Sequence, residues 1–276
     1  MIQPTNEQLQ TLDFIERFWF RVADFTLRFL QPLSIGWNRL FMVHFSWLLV
    51  GSRIRVRGLE HIEHLGKTDS VVFAANHRSF FDFYVIGPLL YTRTTLSKRI
   101  LFPVRAPFFY DRWIGGLINA VMSGFFMFPP IVRDKTKRGF NAYALDRIVA
   151  ELGRNGQLVG IHPEGTRGKG DDPYSLLRPQ PGVGIILSRS AHSHAVPVFI
   201  TGLSNKMAEE FKKTWFQPRG AHPIDVWFGR PLDLTELRDQ GPRMSVQMAI
   251  AKTVMNGIEE LASAHKAEAA GASWPE

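Results

Sequence analysis

The stretch AANHRSFFDF, from Ala74 to Phe83, sets a histidine and an aspartate five positions apart in otherwise apolar surroundings. An imidazole titrates near neutral pH and can take a proton from a hydroxyl, and a carboxylate can hold its other ring nitrogen and stabilise the charge that forms. On one helix His77 and Asp82 would lie about 140° apart, and on one strand they would face opposite sides, so no single regular element joins them. The β-branched and apolar run Ser70-Val71-Val72-Phe73-Ala74-Ala75 precedes the histidine. The segment therefore reads as strand, turn, helix, with Asp82 in the first helical turn, where the positive end of the dipole favours an anion.

A second group follows another apolar run, Leu158-Val159-Gly160-Ile161, as HPEGTRGKG over residues 162–170. Pro163 and Gly165 force a turn. Thr166, Arg167 and Lys169 then present a hydroxyl, a planar guanidinium and an ammonium at a strand end, a set suited to an oxyanion such as phosphate. Glu164 is placed to orient the arginine or to meet a hydroxyl. Both groups follow buried strands, so both can open onto one rim.

The elements needed to hold them come from the remaining pattern. Strands are expected at residues 53–57, 71–75, 125–132, 158–162, 195–201 and 224–229, with helices at 81–91, 114–123, 138–153, 182–191 and 243–264. This alternation predicts an α/β fold with a mostly parallel central sheet flanked by helices, whose sites gather at strand ends. The chain divides into residues 1–50, an apolar helical segment; 51–265, the α/β domain; and 266–276, a loose tail.

In the first segment Asp13, Arg17, Arg21, Asp24 and Arg28 follow spacings of 4, 4, 3 and 4, one charged stripe on an otherwise apolar helix. A second apolar helix is expected from about residue 35 to 50. The longest uncharged run, 13 residues from Leu40 to Ser52, falls short of the roughly 20 that cross a bilayer. Two such helices suit the headgroup boundary of a membrane, and the alternative is that they simply pack on the domain.

Composition narrows the chemistry. The chain has 276 residues, 45% of them hydrophobic, and a net charge of +8, which attracts an anionic partner. There are no cysteines, which removes disulfides, thiolate metal sites and a cysteine nucleophile. No secretory signal pattern opens the sequence, so a location at the cytoplasmic face is expected. Neither a Walker A loop, a dinucleotide loop nor a nucleic-acid motif is present, and no metal or other cofactor is called for. Ser79 lacks a nucleophile elbow and reads as a turn or capping residue.

Asn76, His77 and Asp82 in NHRSFFD resemble the NHxxxxD block of the glycerolipid acyltransferases, which acylate glycerol-3-phosphate and 1-acylglycerol-3-phosphate. Pro163-Glu164-Gly165-Thr166-Arg167 resembles that family's FPEGTR block, with His162 where an aromatic residue is usual. Gly124 to Arg133 is similar to its glycine-to-arginine block, and Ala195 to Val198 to its VPV block. The resemblance covers roughly residues 50–235. It implies acyl transfer from acyl-CoA or acyl carrier protein to a lysophospholipid hydroxyl at a membrane with anionic lipids. His77 and Asp82 would then be catalytic, with Asn76, Arg133, Glu164, Gly165, Thr166 and Arg167 binding substrate. The leading acceptor is 1-acylglycerol-3-phosphate, giving phosphatidic acid. Glycerol-3-phosphate, another lysophospholipid or an amino-acid lipid remains open, as does a catalytically silent lipid-binding protein.

Overall fold

The computed structural model describes residues 2–132, 134–170, 172–218 and 220–271. Short helices α1 (Asn6–Gln10), α2 (Phe14–Phe29), α3 (Gln31–Trp37) and α4 (Val43–Val50) come first, α3 and α4 being joined through a π-turn at Asn38–Met42. Then come β1 (Ile54–Arg57), β2 (Ser70–Ala75), α5 (Asp82–Arg93), β3 (Arg99–Leu101), β4 (Val104–Arg105), an irregular turn α6 (Ala106–Phe109), α7 (Trp113–Ser123) and β5 (Pro130–Ile131). The remainder is α8 (Arg138–Leu152), β6 (Gln157–Ile161), α9 (Pro181–Arg189), β7 (Ser193–Thr201), α10 (Met207–Trp215), β8 (Ile224–Phe228), α11 (Thr235–Asp239) and α12 (Met244–Ala269).

Six strands form one sheet in the order β1-β8-β7-β2-β6-β3, parallel throughout except for the β7–β8 pair. The mostly parallel α/β architecture expected from the alternation is therefore present. Both faces are covered, which is why β2 and most of β6 are buried at every position rather than alternating with polar residues. Val71, Phe73 and Ala75 of β2 belong to the core that includes residues of α2 and α5, whereas Val72 and Ala74 belong to the one formed with α8, α9 and α12.

Three expectations change. The strand expected over 125–132 contracts to Pro130–Ile131, because Gly124 and Phe125 both have positive φ (55° and 67°) and prolines at 129 and 130 cannot donate to a ladder. The edge strand β3 was not anticipated; at three residues it is too short to show a period. Helix α12 continues to Ala269, into the stretch expected as a loose tail, and residues 272–276 lie outside those described.

The N-terminal helices are integral to the domain on their inner side. Phe20 packs on Phe128, Phe140 and Tyr143, and Ala23 and Leu27 join the same core. The charged stripe turns partly inward. Asp24 meets the fully buried Arg147 at 2.7 Å, and Arg147 also binds Glu151 at 2.8 Å; Lys137 bridges Glu16 (2.7 Å) and Asp13 (3.0 Å). The aromatic side is left outside, with Phe14, Phe18, Phe25 and Phe29 exposed. Among the described residues, no helix is long and apolar enough to cross a membrane.

Candidate active site

Parallel pairing brings three loops to one rim. Strands β2 and β6 run side by side with Ala74 opposite Ile161, so the residues just beyond them, His77 and His162, leave the sheet together. Strand β7 lies on the other side of β2 and points the same way, delivering the loop that carries Ser204 and Asn205.

Asp82 is the first residue of α5 and is almost wholly buried. Its Oδ2 accepts from His77 Nδ1 at 3.0 Å and from the backbone N–H groups of Arg78 and Ser79, each at 3.0 Å. The turn between histidine and aspartate thus satisfies the carboxylate through its own backbone, which is why five residues of separation bring the two side chains together. Ser79 accepts from Phe81 N and donates to Ser204 O, a turn residue as its sequence context indicated.

The turn is fixed from below by two polar side chains. Asn76, fully buried, donates to Ile200 O (2.9 Å) and accepts from Ile200 N (2.7 Å), so both ends of its amide clamp the end of β2 to β7. Glu164 accepts from His77 N (2.7 Å) with one oxygen and from Leu177 N (2.8 Å) with the other. It neither orients Arg167 nor lines the cavity. It ties the second motif to the backbone of the first.

With Nδ1 committed to Asp82, His77 presents Nε2 to a cavity of about 1210 Å³ that its ring helps to line. Thr166, Arg167, Lys169, Arg105 and Gly165 line the same cavity. Gly165 adopts φ 61°, a backbone state that its lack of a side chain permits, and its carbonyl accepts from Arg105 Nη2. Arg167 Nη1 donates to Asn205 Oδ1 at 2.8 Å, and that same oxygen takes the N–H of Phe80 at 3.0 Å. Arg133 lies outside the described residues.

Beyond this cationic mouth the walls are apolar. On one side of the sheet are Met42, Val43, Tyr84, Met122 and Phe126; on the other, Leu145, Ile148, Val183 and Ile186. Gly160 in β6 leaves room for this arrangement, since a Cβ there would lie 2.5 Å from both Phe83 and Phe102.

Burial and charge set the titration. His77 is lowered to about 3 by burial first and by the Arg167 and Arg105 guanidinium groups next, so the resting imidazole is neutral. Asp82 is raised to about 6, chiefly by burial, against the pull of its backbone donors. Burial also raises Glu164.

His162 stacks on His77 with ring centroids 3.8 Å apart and planes 12° apart, and its Nδ1 donates to Ala75 O at 3.0 Å. A carbonyl partner requires a proton on Nδ1, and burial lowers this ring too, to about 3, so it is neutral. Ligating atoms of His77, Asp82 and His162 lie within 4.8 Å of one another. Both Nδ1 atoms and the carboxylate are engaged in protein hydrogen bonds, which fixes the tautomers and leaves the two Nε2 atoms for chemistry.

Sequence reasoning missed Arg105 and Asn205. Neither stands in a motif, and only the convergence of loops at the rim brings them to Arg167 and Gly165.

The family model described as Acyltransferase matches residues 53–201, more than half of the chain. The protein belongs to this acyltransferase family, that of the glycerolipid acyltransferases. The matched region runs from β1 to the end of β7 and contains the whole His77–Asp82 turn and the 162–170 loop. No curated protein matches the sequence.

Proposed function

We propose that the protein transfers a fatty acyl group from acyl-CoA or acyl carrier protein to the free hydroxyl of a phosphorylated lysolipid, foremost 1-acylglycerol-3-phosphate, giving phosphatidic acid. One observation carries this reading: the unengaged Nε2 edge of an aspartate-held imidazole shares a cavity with Arg105 and Arg167, and that cavity continues into apolar walls.

In this reaction the acceptor oxygen attacks the thioester carbon while His77 Nε2 takes its proton. Asp82 steadies the imidazolium without leaving its place, and no covalent enzyme intermediate is needed. The C–S bond of the tetrahedral adduct then breaks, and the imidazolium returns the proton to the departing thiolate. Thiol and ester leave, and the enzyme is unchanged.

The electrostatics tie base strength to substrate. Burial holds His77 down first, and the positive charge of the Arg167 and Arg105 guanidinium groups next. An acceptor phosphate between them would neutralise that charge and strengthen the base when the hydroxyl is in position.

The apolar walls suit acyl chains, and the exposed aromatic side of α2 suits attachment to the cytoplasmic face of an anionic membrane, where both substrates are presented. The test is acyl transfer by purified protein, with radiolabelled acyl-CoA and acyl carrier protein offered against 1-acylglycerol-3-phosphate, glycerol-3-phosphate and neutral lysolipids. Label in phosphatidic acid, dependent on His77, is the expected result. Failure to label any phosphorylated acceptor with either donor would overturn the proposal.

A further inference from the structure

Helix α10 connects β7 to β8, and its two sides are built on opposite principles. Its inner side is locked down. Glu210, fully buried, pairs with buried Arg53 at 2.7 Å and accepts from Ser204 N at 2.9 Å. Thr214 Oγ1 donates to Leu49 O at 2.7 Å and Trp215 Nε1 to Leu48 O at 3.1 Å, which fastens the helix against α4.

Its outer side is apolar and uncovered. Met207, Phe211 and Trp215 recur every four residues and so share one face, and Phe216 follows at the C-cap. Trp215 is 54% exposed and Phe216 75%, with Leu48 of α4 beside them at 57%. Phe211 joins the other two rings, lying 6.1 Å from Trp215 and 6.2 Å from Phe216. Exposed Lys206 and Lys212 flank them, whereas Lys213 is paired with Glu209 at 2.7 Å.

We infer that α10 is a docking element for the surface of an anionic lipid bilayer, separate in sequence from the N-terminal helices. Aromatic side chains flanked by two exposed lysines have the charge and amphipathic character that a negatively charged headgroup layer accepts, and a helix held rigidly from within presents them at little cost in ordering. The contact also lies close to the site. Glu210 holds Ser204, whose carbonyl accepts from Ser79, and the next residue, Asn205, holds Arg167. Lipid contact at α10 therefore sits one short loop away from the guanidinium assigned to the acceptor phosphate. That last consequence rests on the acyl-transfer reading; the docking itself does not.

The test is co-sedimentation of full-length protein with vesicles of phosphatidylcholine alone and of phosphatidylcholine mixed with phosphatidylglycerol. Wild type is expected to bind the mixed vesicles and to be released by salt. The double variant Phe211→Ser/Phe216→Ser should bind them at least about ten-fold more weakly, from the loss of two apolar side chains at the interface. Lys206→Glu/Lys212→Glu should abolish the preference for the anionic lipid. Chemical denaturation of each variant, with an unfolding midpoint matching wild type, separates lost docking from lost fold.

Wild-type binding by the folded Phe211→Ser/Phe216→Ser protein would overturn the inference, because the N-terminal helices would then suffice. So would absence of wild-type binding to either vesicle. A concentration-dependent dimer that this variant disperses, with vesicle binding unchanged, would make the face a self-association surface and equally sink the lipid assignment. Because vesicle binding needs no turnover, these outcomes stay distinct from failure of the acyl-transfer assay.

Discussion

The rim above β2 and the helix α2 handle polarity in opposite ways. At the rim, Asn76, Asp82 and Glu164 are taken out of water and every one is matched: Asp82 by the imidazole and backbone donors of its own turn, Asn76 by Ile200, Glu164 by the N–H groups of His77 and Leu177. In α2 the ionic groups Glu16 and Asp24 also face inward, toward Lys137 and Arg147, but the aromatic side chains are the ones given to the surroundings. A buried polar group without partners costs free energy, so the rim spends its hydrogen-bonding capacity on rigidity. An exposed aromatic row is tolerated in water and becomes favourable against lipid. The first region fixes atoms for chemistry; the second leaves a surface available.

The sharpest way to break the comparison is to remove the base. His77→Ala should lower kcat by about 10²–10⁴-fold, the usual contribution of a positioned general base, with the fold intact. Steady-state acyl transfer and a thermal melt together check this.

Two phenylalanines on α2 measure the contrast within a single helix. Phe20→Ala, in the core, should cost about 3–5 kcal/mol of unfolding free energy. Phe29→Ala, on the outer side, belongs at the other end of the scale and is taken last.

Arg167→Gln should raise KM for a phosphorylated acceptor by about 10–100-fold, the loss of one charge-assisted contact, with a much smaller change in kcat. The same change removes one of the two cations that add to the lowering by burial, so the imidazole should move up while burial still holds it below its ordinary value.

The pH profile reports the dyad. The competent state needs Asp82 ionised and His77 neutral. Since Asp82 is raised to about 6 and His77 is lowered to about 3, kcat/KM should fall as pH drops through about 6, when the carboxylate takes up a proton and no longer holds the imidazolium. The two groups interact, so the limb belongs to the pair rather than to either residue. An Asp82→Asn variant that kept the same acid limb would contradict its assignment to the pair.

The smallest effect is expected at the surface. Phe29→Ala should change unfolding free energy by less than about 0.5 kcal/mol, because the ring is exposed in the free protein. A large loss of stability there would mean that the outer row is part of the core after all.

Much of the His77–Asp82 turn was legible beforehand because its constraints are local. His77 and Asp82 stand within one strand-turn-helix unit, and the residues between them supply the backbone donors. The 162–170 loop was equally visible, since its glycines, proline and cations follow an apolar strand. The role of Glu164 was not: its partners, His77 N and Leu177 N, are 87 and 13 positions away, and no local rule points to them. The inward turn of Asp24 was hidden for the same reason, because Arg147 lies 123 residues further on. Periodicity identifies a stripe on a helix but does not say whether water or a buried cation will face it.

The order of residues along the chain determined the alternation of strands and helices, the imidazole–carboxylate turn and the cationic loop, all of which depend on backbone preferences and neighbours a few positions apart. Only the tertiary structure decided that β2 and β6 end side by side, stacking His162 on His77, and that Arg105 and Asn205 close the rim around Arg167. The reason is physical: sheet order and register follow from how both faces of the sheet are buried at once, a property of the whole packed core that no short stretch contains.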